Sequence, residues 1–327
     1  MKKYLQNHIA ESQLTLVASV SFVALTFLAA GAVANQWWGQ IACMAASVYM
    51  IVETSNHHTL LRVRSRMVSS TFAVLSACSC FLLGSLSNGI VGLCTIVFLY
   101  LLFLTYQDPG ASGKTFYAYL FIGVASLFFV QIVFFLPLVW LLSAIRLHSL
   151  SWRTWLASLL GVATPYWLAV PWLLYRQDYR HIASHFHPLT VFMQPADYHS
   201  VTFIQTAVFT FVMLLVLVSI FHFLSRSFED NIRTRQFYSV LLWTGFGAVV
   251  FLALQPQHYD PLMRIIIICA SPFIAHFFAL THSKFTNYLF IASCVVAVIL
   301  TLSALYFSQL SSITDPALRL WNGLLDF

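Results

Sequence analysis

The chain has 327 residues, of which 60% are hydrophobic and 8% charged, with a formal net charge of +6. A soluble domain needs about a quarter charged residues to cover its surface, so a soluble fold is excluded. Continuous apolar runs of about 17–22 residues exclude the alternating pattern of a β-barrel and predict an all-α, polytopic transmembrane bundle of 10–11 segments.

From the N-terminus, Lys2-Lys3 precede an apolar run over 14–34 that ends in Ala32-Val33-Ala34, as a secretory signal would. At about 20 residues the run is longer than a signal core, and more spans follow it. It reads as an uncleaved first helix with a cytoplasmic N-terminus. Further spans are predicted at 40–53, 68–86 and 90–106, joined by Asn35–Gly39, a basic Thr54–Met67 connector and Ser87–Gly89. The Trp37-Trp38 pair suits the headgroup layer. After Gln107–Lys114 and an ambiguous segment, spans are predicted at 154–174, 201–224, 237–254, 263–281 and 287–308, with a C-terminal tail over 309–327. Pro165 and Pro171 are expected to bend the 154–174 span. Residues 1–327 form one integral membrane domain whose longest polar connector, 175–200, is an outer-face loop. The six cysteines fall in apolar segments without metal or disulfide spacing, and are expected to be small buried hydrophobes. The basic residues lie in short connectors, which is topogenic placement and predicts no nucleic-acid partner.

The ambiguous segment is 116–145. Thirty residues of helix would measure about 45 Å against a hydrocarbon core of about 30 Å. Gln131 and Pro137 interrupt its middle. As one tilted span it leaves ten Lys/Arg on the cytoplasmic side and six outside. As two short helices meeting outside near Gln131–Pro137, it places Lys2, Lys3, Arg62, Arg64, Arg66, Lys114, Arg146, Arg153, Arg226, Arg233, Arg235 and Lys284 inside. Only Arg176, Arg180, Arg264 and Arg319 then lie outside, and this 12:4 division is preferred. The consequence is that 175–200, the Gln255–Pro261 turn with Arg264, Asn35–Gly39 and the apex of the broken pair share one outer face. Broken helices at membrane depth are tolerated where protein or a water-filled cavity satisfies their ends.

Two polar constellations stand on that face. His181 and His185 are spaced i, i+4, with Asp178 three residues before His181, so on a helix they share a face fit for a divalent cation such as zinc. The same stretch also reads as an interfacial amphipathic helix with Tyr175, Tyr179, Ile182 and Phe186 toward lipid. His258, Asp260 and Arg264 form the second group, readable as a phosphate clamp or as a structural ion pair of the turn. Elsewhere, the Arg62-x-Arg64-x-Arg66 triplet reads as a topogenic anchor that attracts anionic lipid. His276 reads as an interhelical hydrogen-bonded contact, and His222 lies near a cytoplasmic end. Gly110–Thr115 lacks the spacing of a phosphate loop.

The run from Phe116 through Pro137, then Arg146, Trp152-Arg153-Thr154-Trp155 and Leu160 through Tyr166, resembles an uncharacterised family of multi-pass inner-membrane proteins of Gram-negative bacteria. The resemblance is strongest over 90–175. The same pattern looks distantly like the membrane module of GT-C type, polyprenyl-phosphate-sugar-dependent glycosyltransferases, whose corresponding segment is a pair of short helices with an outer apex. That resemblance implies inner-membrane localisation and a polyprenyl-phosphate-linked sugar as substrate. Such enzymes usually carry a catalytic acid in the first outer loop, and Asn35–Gly39 has none. The acid is therefore sought among Asp178, Asp197 and Asp260, the phosphate-binding cation among Arg176, Arg180 and Arg264, and any divalent cation at His181 and His185. The competing expectations are a transporter or flippase, and a non-catalytic subunit bound to an envelope protein partner through the tail.

Overall fold

The computed structural model describes residues 4–63, 65–175, 185–187, 189, 198 and 201–325; for 170, 172–175 and 308–325 it describes the backbone only. The described residues are helical and include no strand. The helices are α1 (Leu5–Glu11), α2 (Leu14–Ala29), α3 (Trp38–His57), α4 (Met67–Cys78), α5 (Leu86–Phe103), α6 (Ser112–Ser126), α7 (Leu136–Ile145), α8 (Trp152–Tyr175), α9 (Phe203–Arg226), α10 (Ile232–Leu254), α11 (Tyr259–Leu280) and α12 (Lys284–Leu325). Five of these segments are long and apolar enough to cross a membrane, or six if α1 and α2, bent by 90°, count as one span. This is the make-up of a multi-pass membrane protein.

The sequence of α11 explains its position. It is apolar on every face, with Ile265–Ile268, Phe273, Ile274, Phe277 and Phe278 all buried, and a helix hydrophobic all round belongs in the interior. It packs against α4, α5, α9 and α10. Its end is closed by α1, a short helix that the hydropathy pattern did not anticipate. Gln6 Nε2 and Asn7 Nδ2 donate to the carbonyl of Thr281, the C-cap of α11, at 2.5 and 2.9 Å. Without water nearby, such terminal carbonyls need side-chain donors.

The segment 112–145 is a hairpin, not a single span. Phe129 leaves helical geometry at φ −141°, ψ 87°, a 3-10 turn occupies Val130–Phe135, and Pro137 stands in the first turn of α7, where its missing N–H costs nothing. The two ends of the segment meet: Gln107 N donates to Leu147 O at 2.7 Å, and Ser151 Oγ to Pro109 O at 2.8 Å. Glycines let α8 lie close against α6. A Cβ on Gly161 would sit 2.6 Å from Phe116 O, and one on Gly123 would sit 2.7 Å from Val162 O. Small residues permit such close approach between helices where lipid offers no hydrophobic drive.

Cross-chain contacts sort the bundle into two ends. At the basic end, Arg62 meets Glu229 and Asp230, Arg233 lies over Tyr106, and Ser65 bonds Ala10. At the opposite, Gln131 end, Gln131 meets His258, Gln205 meets Asp260, and Gln40 meets Gly84. This is the grouping that the 12:4 division of charge implied.

Two boundaries and the exposure of two cysteines differ from expectation. The 68–86 span is a helix only to Cys78, followed by a 3-10 turn over Cys80–Leu82, because the chain must turn before Ser85 caps α5. The last helix, expected to stop near 308, runs unbroken to Leu325, so the tail is not a separate short element. Of the cysteines, all free, Cys43 is half-buried and Cys294 is exposed on the outside of the bundle, where an apolar thiol can face lipid. Of the expected 175–187 interfacial helix, 176–184 lie outside the described residues, and Tyr175 ends α8.

The hairpin predicts a labelling pattern. In a Cys294→Ser background, Gln107→Cys and His148→Cys react with a membrane-impermeant maleimide from the same side, and Phe128→Cys is not labelled from that side. Labelling of positions 107 and 148 from opposite sides would exclude the hairpin.

Candidate functional site

Both ends of α11 carry ionisable groups inside an otherwise apolar bundle. At the Gln131 end, α10 stops at Leu254 and a 3-10 turn over Pro256–His258 feeds α11. His258 Nε2 lies 3.0 Å from Gln131 Nε2, with the rings of Phe129 and Phe251 beside it. Tyr259 donates its hydroxyl to Gln205 O at 2.7 Å, and Gln205 Nε2 donates to Asp260 Oδ1 at 3.4 Å. Gln205 is itself held by the capping box with Thr202 that starts α9. The apex of the hairpin is thus pinned two residues before Asp260.

One turn further along α11, Arg264 runs past Gly92 of α5, where a Cβ would lie 3.5 Å from its Cδ. Its Nη2 donates to Leu82 O, and its Nε is buried without a partner. It borders a narrow cavity of about 20 Å³ with Gln40, Cys43, Ser47, Ser76 and Ser85, enough for a water molecule and no larger ligand. No ion pair joins Asp260 to Arg264, so the expected structural pair of this turn is replaced by separate bonds to Gln205 and Leu82.

Of the remaining candidates, Asp178, Asp197, Arg176, Arg180 and His181 lie outside the described residues. His185 is described, with its Nε2 3.4 Å from the hydroxyl of Tyr166, which donates to Ser126 Oγ at 2.8 Å. Among the described residues no group of three or more His, Cys, Asp or Glu could hold a metal ion.

The basic end holds a cluster that the sequence reading dispersed. Asp230, in the connector between α9 and α10, has a side chain 1% exposed. Its Oδ1 accepts from Arg62 Nε at 2.5 Å and its Oδ2 from His276 Nε2 at 3.1 Å. Arg62 also donates through Nη1 to Glu229 at 2.7 Å, and Arg226 donates to Glu229 at 3.0 Å. Burial alone would raise the Asp230 carboxyl, but the bonds from His276 and Arg62 outweigh it and hold it below the usual carboxylate range. The bond to Asp230 requires His276 to carry its proton on Nε2, leaving Nδ1 as a buried group without a partner. The His222 ring stands 6.1 Å away, centroid to centroid. His276 makes a hydrogen-bonded contact as expected, but to the α9–α10 connector rather than to another helix. Arg62, expected to be one of three topogenic anchors, fastens the connector at Asp230. A histidine inside an apolar span calls for a partner, but only packing identifies Asp230, 46 residues away in the chain.

Two outcomes follow. Asp230→Ala leaves His276 buried without its acceptor and lowers stability by about 3 kcal/mol. Arg62→Ala costs about 1 kcal/mol, because that guanidinium is partly exposed. Chemical denaturation in one detergent checks the order, and an Arg62→Ala effect larger than that of Asp230→Ala would refute it. His58, past the end of α3, gives a pH dependence. Burial, reinforced by His57, pushes its imidazole from the ordinary 6.5 down to about 4. The unfolded chain therefore takes up the proton first. Stability from this residue is complete above about pH 6.5 and is lost as pH falls toward 4. The melting temperature of the natural protein should drop over that window more steeply than that of His58→Gln, and equal slopes would exclude His58 as the source.

No family model, no curated protein and no solved structure matches the chain.

Proposed function

We propose that this multi-pass membrane protein transfers a sugar from a polyprenyl-phosphate carrier at the Gln131 end of the bundle, in the manner of GT-C type glycosyltransferases. On this reading the bundle sits in a bacterial inner membrane with its N-terminus cytoplasmic and the Gln131 end outside. The observation that supports it is the broken pair α6–α7, whose apex Gln131 bonds His258, two residues before Asp260, which itself stands one turn before Arg264. Asp260 is half-buried, bonded through one oxygen to Gln205, with Oδ2 left to take a proton. In the proposed step Asp260 accepts the proton of an acceptor hydroxyl, and that oxygen bonds to the anomeric carbon. The sugar–phosphate bond breaks with its electron pair on the phosphate, which stays outside the water-sized cavity and whose charge Arg264 offsets across it. Asp178 and Asp197 share the role offered to Asp260, and Arg176 and Arg180 that offered to Arg264. His181 and His185 would hold a divalent cation if the reaction uses one.

A carrier is the second reading, favoured by the pair of ionisable clusters at opposite ends of one buried helix. Turnover separates the two. Purified protein given a panel of polyprenyl-phosphate sugars should release polyprenyl phosphate, with kcat falling about a hundredfold or more in Asp260→Asn and KM rising in Arg264→Gln. Absence of release with every donor, together with exchange of labelled substrate across vesicles, would replace the transferase by the carrier. Full activity in Asp178→Asn, Asp197→Asn and Asp260→Asn alike would strip all three of the proposed role.

A further inference from the structure

Between α2, α4 and α12 lies a lengthwise groove of about 300 Å³ that none of the chemistry above uses. Its walls are single helix faces. Met67, Ser70, Thr71, Val74 and Leu75 of α4 recur at i, i+3, i+4, i+7 and i+8, and α12 contributes Phe290, Ser293, Cys294, Ala297 and Val298 in the same rhythm. Phe211 and Leu215 of α9 and Ile274 and Phe278 of α11 line it as well, and α2 scarcely touches α12, so the groove opens to the outside of the bundle between them. It starts at the basic end, beside Ile9 of α1 and Met67, and runs about 12 Å inward, eight residues of helical rise. That is under half of a hydrocarbon core of about 30 Å.

Two polar groups in or beside this groove lack partners. Ser70 lines it, is 4% exposed, and its hydroxyl has no hydrogen bond. Arg66, the N-cap of α4, stands one turn before Ser70 on the same helix face, and its Nη1 is buried without a partner. A buried unpaired hydroxyl and an unpaired guanidinium are each costly unless something meets them. An apolar channel with a cation at its headgroup end matches one class of occupant in both shape and charge. We propose that this groove is a binding site for an anionic phospholipid, one acyl chain lying along Ser70, Ser293 and Ala297 and the headgroup phosphate meeting Arg66. The bound chain fills the gap between α2 and α12, which the protein leaves open.

The test is native mass spectrometry of the purified, delipidated full chain, titrated with dioleoyl phosphatidylglycerol, dioleoyl phosphatidylcholine or a polyprenyl phosphate. The natural protein should retain one phosphatidylglycerol at about tenfold lower concentration than phosphatidylcholine. Arg66→Gln should abolish that preference while still retaining one lipid. Val298→Trp fills the groove from its exposed edge, where the side chain packs nothing that folding needs, and should retain neither phospholipid at those concentrations. Melting curves in the same detergent confirm that each variant is folded. Equal retention of the two phospholipids by the natural protein, or unchanged retention by Val298→Trp, would overturn the proposal. Displacement of phosphatidylglycerol by equimolar polyprenyl phosphate would also overturn it, by making this an isoprenoid site.

Discussion

The structure depends on a helix that has no solvent on any side. Because α11 is buried along nearly all of its length, the polar groups it carries call for another helix or trapped water to satisfy them. That requirement places α1 under its C-terminal carbonyls, Gln205 against its first turn, and Asp230 against His276. The neighbours of α11 are therefore selected twice, by apolar packing along its middle and by hydrogen-bond demand at its ends.

The two ends answer that demand differently. At the basic end the charges close on one another. Arg62, Asp230 and His276 form a tight chain of bonds in which both carboxylate oxygens of Asp230 are met, so it fastens the α9–α10 connector to the bundle. At the Gln131 end the charges stay apart. Asp260 and Arg264 bond to neutral partners, and Arg264 keeps an unmet donor beside a water-sized cavity. An ionisable pair that is close without neutralising itself retains the capacity to act on something else, which is why the proposed chemistry is assigned to that end.

Packing density varies around α11 for a local reason. Glycines at 123 and 161 bring α6 and α8 to backbone contact, whereas serines, alanines and a cysteine on α2, α4 and α12 leave a groove. Small residues close a gap when the facing helix can approach, and open one when other contacts hold it off. Here α1, α4 and α9 hold α12 at its distance from α2.

Hydropathy by itself determined that the chain is a helical membrane bundle, since continuous apolar runs in lipid leave the backbone no other way to satisfy its own bonds. Charge asymmetry favoured two short helices over a single span for 116–145, because Lys and Arg report the side on which a connector lies, and the Gln107–Leu147 bond agrees with that preference. The proximity of His258, Asp260 and Arg264 was readable from their closeness along the chain at one turn. Their partners were not: Gln131, Gln205 and Leu82 lie 127, 55 and 182 residues away along the chain. The same holds for Arg62 and Asp230, separated by 168 residues. Periodicity records which face of a helix is buried and carries no information about which other helix covers it. Tertiary packing alone decided that the polar groups form two separate clusters on one helix, and that Ser70 and Arg66 face no partner.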